Sequence, residues 1–418
     1  MTRFTAFEKY LTKRALTTPW QLDGLTHDCK LFSAAIVIPA LAEYENLAET
    51  IFHLSLNPPE FLAKTLVVVV VNNRKKATIS DKEQNQLTLS WLNDNHYPKM
   101  NICWVDASSA GLELPAKEGV GLARKIGFDL ALAQIDMTSL PLLISLDADT
   151  QVDANYLSAI FCHFRRSAGG AAVIPFRHQV GATVAAEKAI RRYELYLRSY
   201  QFGLQLAKSP YAYHTIGSAF ACKVDAYVAS AGMNRRLAGE DFYFLQQLQK
   251  TSGVALLRGT VVRPSARCSD RVPFGTGRVV ENNIATGKMP YTFVSVTAFK
   301  ILHGWIDIIT NGTDNSASEV LSLAQKLSLE LYAFLSELNF TQFWLRLQCN
   351  CSTTEQRLRA FHGWFDALRT RQLLTRIEVD ADLSVVDIVG GLLEWGGLIS
   401  LADEADQLVL LEEMQGVR

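Results

Sequence analysis

The sequence lacks the residue pairings that mark many metal and nucleophile sites. Its 7 cysteines are scattered without a CxxC spacing, its 8 histidines include no HExxH, and neither a GxSxG elbow nor a P-loop lysine motif occurs. Zinc hydrolysis, serine hydrolysis and P-loop nucleotide hydrolysis therefore have no foothold. An odd, unpaired set of cysteines suits reduced thiols and a cytoplasmic setting. Cys349 and Cys351 form a CxC that reads as ordinary residues near a helix end.

Charge of one sign is lacking too. Lysine and arginine total 41 against 42 aspartates and glutamates, so no global field points to nucleic acid or to an anionic membrane, and any anion site is local. Long hydrophobic runs are absent. The opening MTRFTAFEKYLTKRALTTPW has no continuous apolar core of a secretion signal. The most apolar late stretch, 385–402, is broken by Asp387, Glu394 and four glycines, short of the roughly 20 residues a spanning helix needs. No transmembrane segment is expected, which leaves peripheral association as the only membrane contact to consider.

What the sequence does have is a 49% apolar composition over 418 residues, enough for two cores. Short β-rich runs recur at 34–38, 66–71, 101–105, 142–146, 171–175 and 254–258, each reading as a strand buried on both faces. Helical stripes lie between them: Leu47, Ile51 and Leu54; Leu122, Ile126, Leu130 and Ala133; Leu157, Ile160, Phe161 and Phe164. Such alternation predicts an α/β fold with a mostly parallel central sheet. After about residue 280 a helical period takes over, clearest at Val320, Leu323, Leu327, Leu331, Phe334 and Leu338, with Ser316 and Glu319 at capping-box spacing ahead of it. The expected organisation is an N-terminal helical segment over 1–30, an α/β domain over 31–280 and a helical C-terminal region over 281–418.

Four groups of residues can carry chemistry. In LLISLDADT, Asp147 and Asp149 follow a buried strand, at the end where open α/β sheets bind ligands. Alternation aims both carboxylates the same way, and two carboxylates can hold a hard ion, Mn2+ or Mg2+, through part of its oxygen shell. Glu240 and Asp241 follow a glycine and precede an apolar helical run. They suit the first turn of a helix, as charge against its dipole or as a carboxylate that takes a proton from a hydroxyl. Arg263, Arg267, Arg271 and Arg278, in VVRPSARCSDRVPFGTGR, read as an irregular loop without matching acids, suited to clamping phosphate. Lys117, Arg124 and Lys125 lie at the glycine-bearing helix EGVGLARKIGFDLAL and can face an anion. The GVG there lacks a directly preceding strand and a third glycine, so dinucleotide binding is set aside.

In their order along residues 33–278 these motifs resemble the family 2 glycosyltransferases. AIVIPALAEYENLAETI looks like the family's opening strand and loop, GVGLARKIGFDLAL like its basic helix and LDADT like its DxD motif. GSAFACKVDAYVASAGMNRRLAGEDFYFLQQL looks like its acceptor-side strand, glycine turn and ED motif. The resemblance implies a GT-A-like nucleotide-sugar-binding domain and an inverting enzyme that moves a sugar from a nucleoside-diphosphate sugar to an acceptor hydroxyl. Asp147 and Asp149 would hold the metal on the donor diphosphate, Asp241 would be the general base, and Glu240 would orient it or contact the acceptor. Ala40 and Glu43 would lie against the nucleotide, and Arg124 beside its base or phosphates.

Two departures stand out. Asn72 and Asn73 replace the aspartates that usually end the second strand and read the base, so the hydrogen-bond pattern offered to a base differs. QxxRW is missing, which argues against a processive polysaccharide synthase. The competing readings are a binding or scaffold protein that kept the fold without turnover, and a sugar-1-phosphate nucleotidyltransferase, whose glycine-rich N-terminal signature is absent. The apolar stripes of the C-terminal region offer a surface for homodimerisation, for closure over an acceptor or for docking on a membrane-bound partner.

Overall fold

The runs rich in valine, isoleucine and leucine become strands because both of their faces can be covered. A computed structural model describes residues 3–25, 31–95, 97–268, 275–287, 289–377 and 383–417. Its strands are β1 (Ala34–Ala40), β2 (Thr65–Asn72), β3 (Asn101–Ala107), β4 (Leu142–Ser145), β5 (Gln151–Val152), β6 (Ala171–Val173), β7 (Phe220–Lys223), β8 (Val254–Leu256) and β9 (Val262–Arg263). Seven form one sheet in the order β3-β2-β1-β4-β7-β6-β8, and β5 pairs with β9 in a two-stranded ribbon.

β1 runs parallel to both β2 and β4, and β2 parallel to β3. β7 is antiparallel to its neighbours β4 and β6, and β6 is parallel to β8. The expected α/β architecture with a mostly parallel sheet is what forms, and all six apolar runs lie in it. β1 and β2 are buried at every position, which is why they carry no polar alternation.

Helices cover the sheet through the predicted faces. Tyr44–Ser55 buries Leu47, Ile51 and Leu54, and Tyr156–Arg166 buries Leu157, Ile160, Phe161 and Phe164. Val120–Ala131 departs from a one-sided stripe: Leu122 and Ile126 are buried, but so are Arg124, Lys125 and Asp129. Its glycines explain how deep it sits. A Cβ on Gly127 would lie 2.4 Å from Val37 Cγ1 and 2.9 Å from Val70 Cγ2, and one on Gly121 would lie 2.7 Å from the Asn234 carbonyl oxygen. The second glycine of GVG thus admits a backbone segment of the protein itself.

Contacts divide the chain into two units, one of Met1–Ile190, Thr215–Lys288 and Gln415–Arg418, the other of Arg191–His214 and Met289–Met414. The first contains both sheets and the helix Arg3–Lys13, whose Tyr10 hydroxyl donates to Asp129 Oδ1 at 2.7 Å. The second is helical around Trp305, Phe340, Trp344, Phe361 and Phe365, all buried, with Trp305 packed edge-on against Phe340 and Phe361.

The stripe from Val320 to Leu338 is two helices rather than one. Ala317–Leu327 opens on the expected capping box of Ser316 and Glu319. Ser328 then takes extended backbone and its hydroxyl accepts from Leu331 N, starting Leu329–Glu337. A serine that can cap competes with continuation of the helix, and the apolar period alone cannot register that. Among the described residues no helix is long and apolar enough to cross a membrane.

Candidate active site

The carboxyl ends of β1, β2 and β4 leave Ala40, Asn72 and Ser145 on one edge of the sheet. β4 stops at Ser145, so Asp147 and Asp149 stand in the turn beyond it. Alternation outlives the strand: both aspartates are half-buried, whereas Ala148 and Thr150 between and after them are buried. The turn is fixed through its backbone. Thr50 Oγ1 donates to the Ala148 carbonyl at 2.9 Å and Gln179 Nε2 donates to the Asp149 carbonyl at 3.0 Å.

Arg124 lies beneath this turn with 2% of its surface exposed. Its Nη2 is 2.5 Å from Asp147 Oδ1, its Nε 3.1 Å from Glu240 Oε1, and its Nη1 donates to Ser145 Oγ at 2.7 Å. Ser145 Oγ in turn donates to the Gly217 carbonyl at 2.7 Å. Expected beside a nucleotide, Arg124 instead points its guanidinium at the protein's own acids. Lys125, read as a cation facing an anion, is also internal: its Nζ is 2.8 Å from Asp129 Oδ2 and donates to the Tyr10 hydroxyl. Both sit on a helix buried nearly all round, so their charge must be met inside. Only Lys117 of that trio is exposed.

Glu240 and Asp241 open the helix Glu240–Ser252, after Gly239 in the left-handed region at φ 68°. Both sit where helix-terminal N–H groups favour negative charge, and Phe242 N donates to Asp241 Oδ1 at 2.7 Å. Burial nevertheless pushes the Asp241 carboxyl up to about 8, with the neighbouring Glu240 charge adding to it. Burial raises Glu240 as well, while Arg124 pulls against it. A half-buried acid whose proton affinity reaches the neutral range can exchange a proton with a bound hydroxyl.

The arginine stretch is better supplied with acids than its sequence suggests. Arg267 Nη2 is 2.9 Å from Asp149 Oδ2 and also contacts Glu43 Oε1. Arg263 contacts Asp153, whose other oxygen accepts from Val261 N. Arg278 is on the helix Thr276–Thr286, half in solvent, with Nη1 3.0 Å from Glu281 Oε2. The partners of Arg263 and Arg267 come from distant parts of the chain, which is why the stretch looked unmatched. Arg271 lies outside the described residues.

Asn72 and Asn73 belong to a buried amide network that the sequence did not announce. Asn85, fully buried in the helix Ile79–Asp94, donates through Nδ2 to the Asn72 carbonyl at 3.0 Å and to Asn73 Oδ1 at 2.7 Å. Its Oδ1 accepts from Ala42 N at 2.9 Å, and Asn72 Nδ2 donates to the Ala40 carbonyl at 3.2 Å. The loops after β1 and β2 are thereby tied together. An asparagine in a polar helix carries no mark of burial in its spacing, so only the packing reveals it.

A divalent cation fits this donor set as a partly completed site. Asp147 and Asp149 keep 34% and 21% of their side-chain surface open, and Arg124 takes Oδ1 of Asp147. Their donors are oxygens, which select a hard ion. Among the described residues no group of three or more metal-ligating side chains converges, so ligand and water would have to supply the rest of an ion's coordination.

No family model matches the chain, and no curated protein matches it either. Similar solved structures include S. aureus TarS residues 1–349 in complex with UDP-GlcNAc, 12% identical, covering 91% of this chain and 91% of that one at a TM-score of 0.38. Another is the mannosyltransferase PcManGT from Pyrobaculum calidifontis in complex with GDP-Man and Mn2+, 14% identical, covering 90% of this chain and 92% of that one at a TM-score of 0.37.

Proposed function

We propose that the chain is a metal-dependent, inverting glycosyltransferase of the family 2 type, moving a sugar from a nucleoside-diphosphate sugar to an acceptor hydroxyl. The observation that carries this reading is the Arg124 guanidinium shared by Asp147 and Glu240. It joins an acidic turn suited to a diphosphate-bound cation with an acidic helix start suited to an acceptor proton.

Asp147 and Asp149 would hold Mg2+ or Mn2+, which when bound supplies positive charge against the leaving diphosphate. Asp241 takes the proton from the acceptor hydroxyl as its oxygen bonds to the anomeric carbon and the bond to the diphosphate oxygen breaks. A single displacement inverts that carbon. The raised proton affinity of Asp241 brings it near working pH, where a general base is effective. Glu240, held by Arg124, keeps the base in place, and Arg267 offers a guanidinium to the phosphates.

On this reading the nucleotide lies against Ala40 and Glu43, with Asn72 and Asn73 at its base. The donor is a nucleoside-diphosphate sugar, the enzyme is cytoplasmic, and the helical region over 281–418 serves homodimerisation or docking on a membrane-bound partner.

Thermal unfolding against UDP, GDP, dTDP and CDP, with and without Mn2+, tests the reading, since binding to the native state raises stability. The expected result is a metal-dependent shift with one diphosphate that disappears in the Asp147→Ala/Asp149→Ala variant. No shift with any of the four would remove the nucleotide-sugar reading.

A further inference from the structure

Resting on that reading, we infer that Arg267 is a built-in counter-cation for the donor site: it holds Asp149 and Glu43 while no ligand is bound and surrenders Asp149 on binding, so that cation and nucleoside diphosphate bind cooperatively. The two arginines of the site differ in a way that assigns the part. Arg124 is almost fully buried and tied to three side chains from a packed helix. Arg267 has 32% of its side chain exposed and sits on the irregular segment 264–268. One amino group, Nη2, meets both of its carboxylates, as a single cation would.

Each residue has a tether besides Arg267, Asp149 through its backbone and Glu43 through its carboxylate. The Asp149 carbonyl is held by Gln179, and Glu43 Oε2 accepts from Asn46 Nδ2 at 2.7 Å. Replacing Arg267 takes one positive charge away from both carboxylates, and another cation can supply that charge. A guanidinium released from them fits diphosphate oxygens. A divalent ion alone takes Asp149 from Arg267 and offers it no new anion, whereas ion and diphosphate together give each charge a partner. Such coupling is reciprocal: each ligand tightens the other by the same factor.

Titration with Mn2+, read by the electron paramagnetic resonance of the free ion, tests this in the full chain without reference to turnover. Wild type, Arg267→Gln and Arg258→Gln are compared alone and with UDP or GDP; Arg258 is an exposed arginine of the same unit. Arg267→Gln is expected to bind Mn2+ alone about tenfold more tightly than wild type, with Arg258→Gln near wild type. Nucleotide should tighten Mn2+ binding by wild type more than by Arg267→Gln.

Equal Mn2+ affinity in wild type and Arg267→Gln overturns the inference while leaving the metal site standing. An equal gain in Arg258→Gln also overturns it, because net charge would then be the cause. If none of the proteins binds Mn2+ with or without nucleotide, the metal-site reading falls and the inference with it. Should Arg267→Gln not fold, Arg267→Met removes the same contact and is judged by the same outcomes.

Discussion

Arg124 and Glu240, 116 positions apart in the chain, meet at 3.1 Å between Nε and Oε1. The same guanidinium reaches Asp147, so two acidic motifs on different elements share one cation. A buried ion group of this kind contributes little net stability when whole and costs much when one member is removed.

Arg124→Met is accordingly expected to destabilise the fold by about 3 kcal/mol, because Glu240 is left buried without its partner. Arg124→Lys keeps the charge but cannot reproduce three directed contacts, and transfer is expected to fall by about 100-fold. Thermal unfolding beside turnover separates the two effects; undiminished turnover in Arg124→Lys would show that the shared contact is dispensable.

Asp241→Asn should reduce transfer by about 1000-fold and leave nucleotide binding intact. In the wild type, turnover should rise with pH to a plateau, with its midpoint near 8, as the raised carboxyl of Asp241 ionises. A pH profile flat between 6 and 9 under rate-limiting chemistry would contradict Asp241 as base.

The same acid makes a stability prediction of definite sign. Its folded value lies above the ordinary carboxyl value, so its stabilising contribution is complete below about pH 4 and is lost as pH rises towards about 8. Asp241→Asn escapes that loss. It should be more stable than wild type at pH 8 by on the order of 1 kcal/mol, with the difference vanishing at low pH. Denaturant unfolding at both pH values checks it.

Gly217→Ala should inactivate without unfolding. The added Cβ would stand 2.4 Å from Arg124 Nη2 and 3.6 Å from Asp147 Oδ2, forcing the shared guanidinium to move. Gly363→Ala is the control. It meets no atom within 4 Å in the helix Thr354–Trp364, and should be neutral or stabilising by up to about 1 kcal/mol.

Asn85→Asp replaces two buried donors by acceptors, facing the Asn72 carbonyl and Asn73 Oδ1 with a carboxylate. A cost of about 1–3 kcal/mol is expected, together with weaker binding of whichever diphosphate stabilises the wild type. Unchanged nucleotide affinity would mean that the network shapes the fold alone.

Much of this architecture was legible locally. β1, β2 and β4 show as continuous apolar runs because a strand covered on both faces needs no polar alternation. The capping box at Ser316 and the acidic first turn at Glu240 are set by neighbours within one helical turn. Ser328 marks the limit of that local reading, since an apolar stripe gives no sign that a serine within it will start a new helix.

The candidate chemistry divides along the same line. Sequence by itself determined which residue types follow the strands and start the helices: Asp147 and Asp149 after β4, Glu240 and Asp241 after a glycine. Only the tertiary structure decided their partners, placing Arg124 under Asp147 and Glu240, Arg267 on Asp149 and Glu43, and Asn85 between two strand ends. The physical reason is range. Periodicity and capping act over a few residues, whereas a buried charge or amide must be satisfied by whatever the packed chain brings to it.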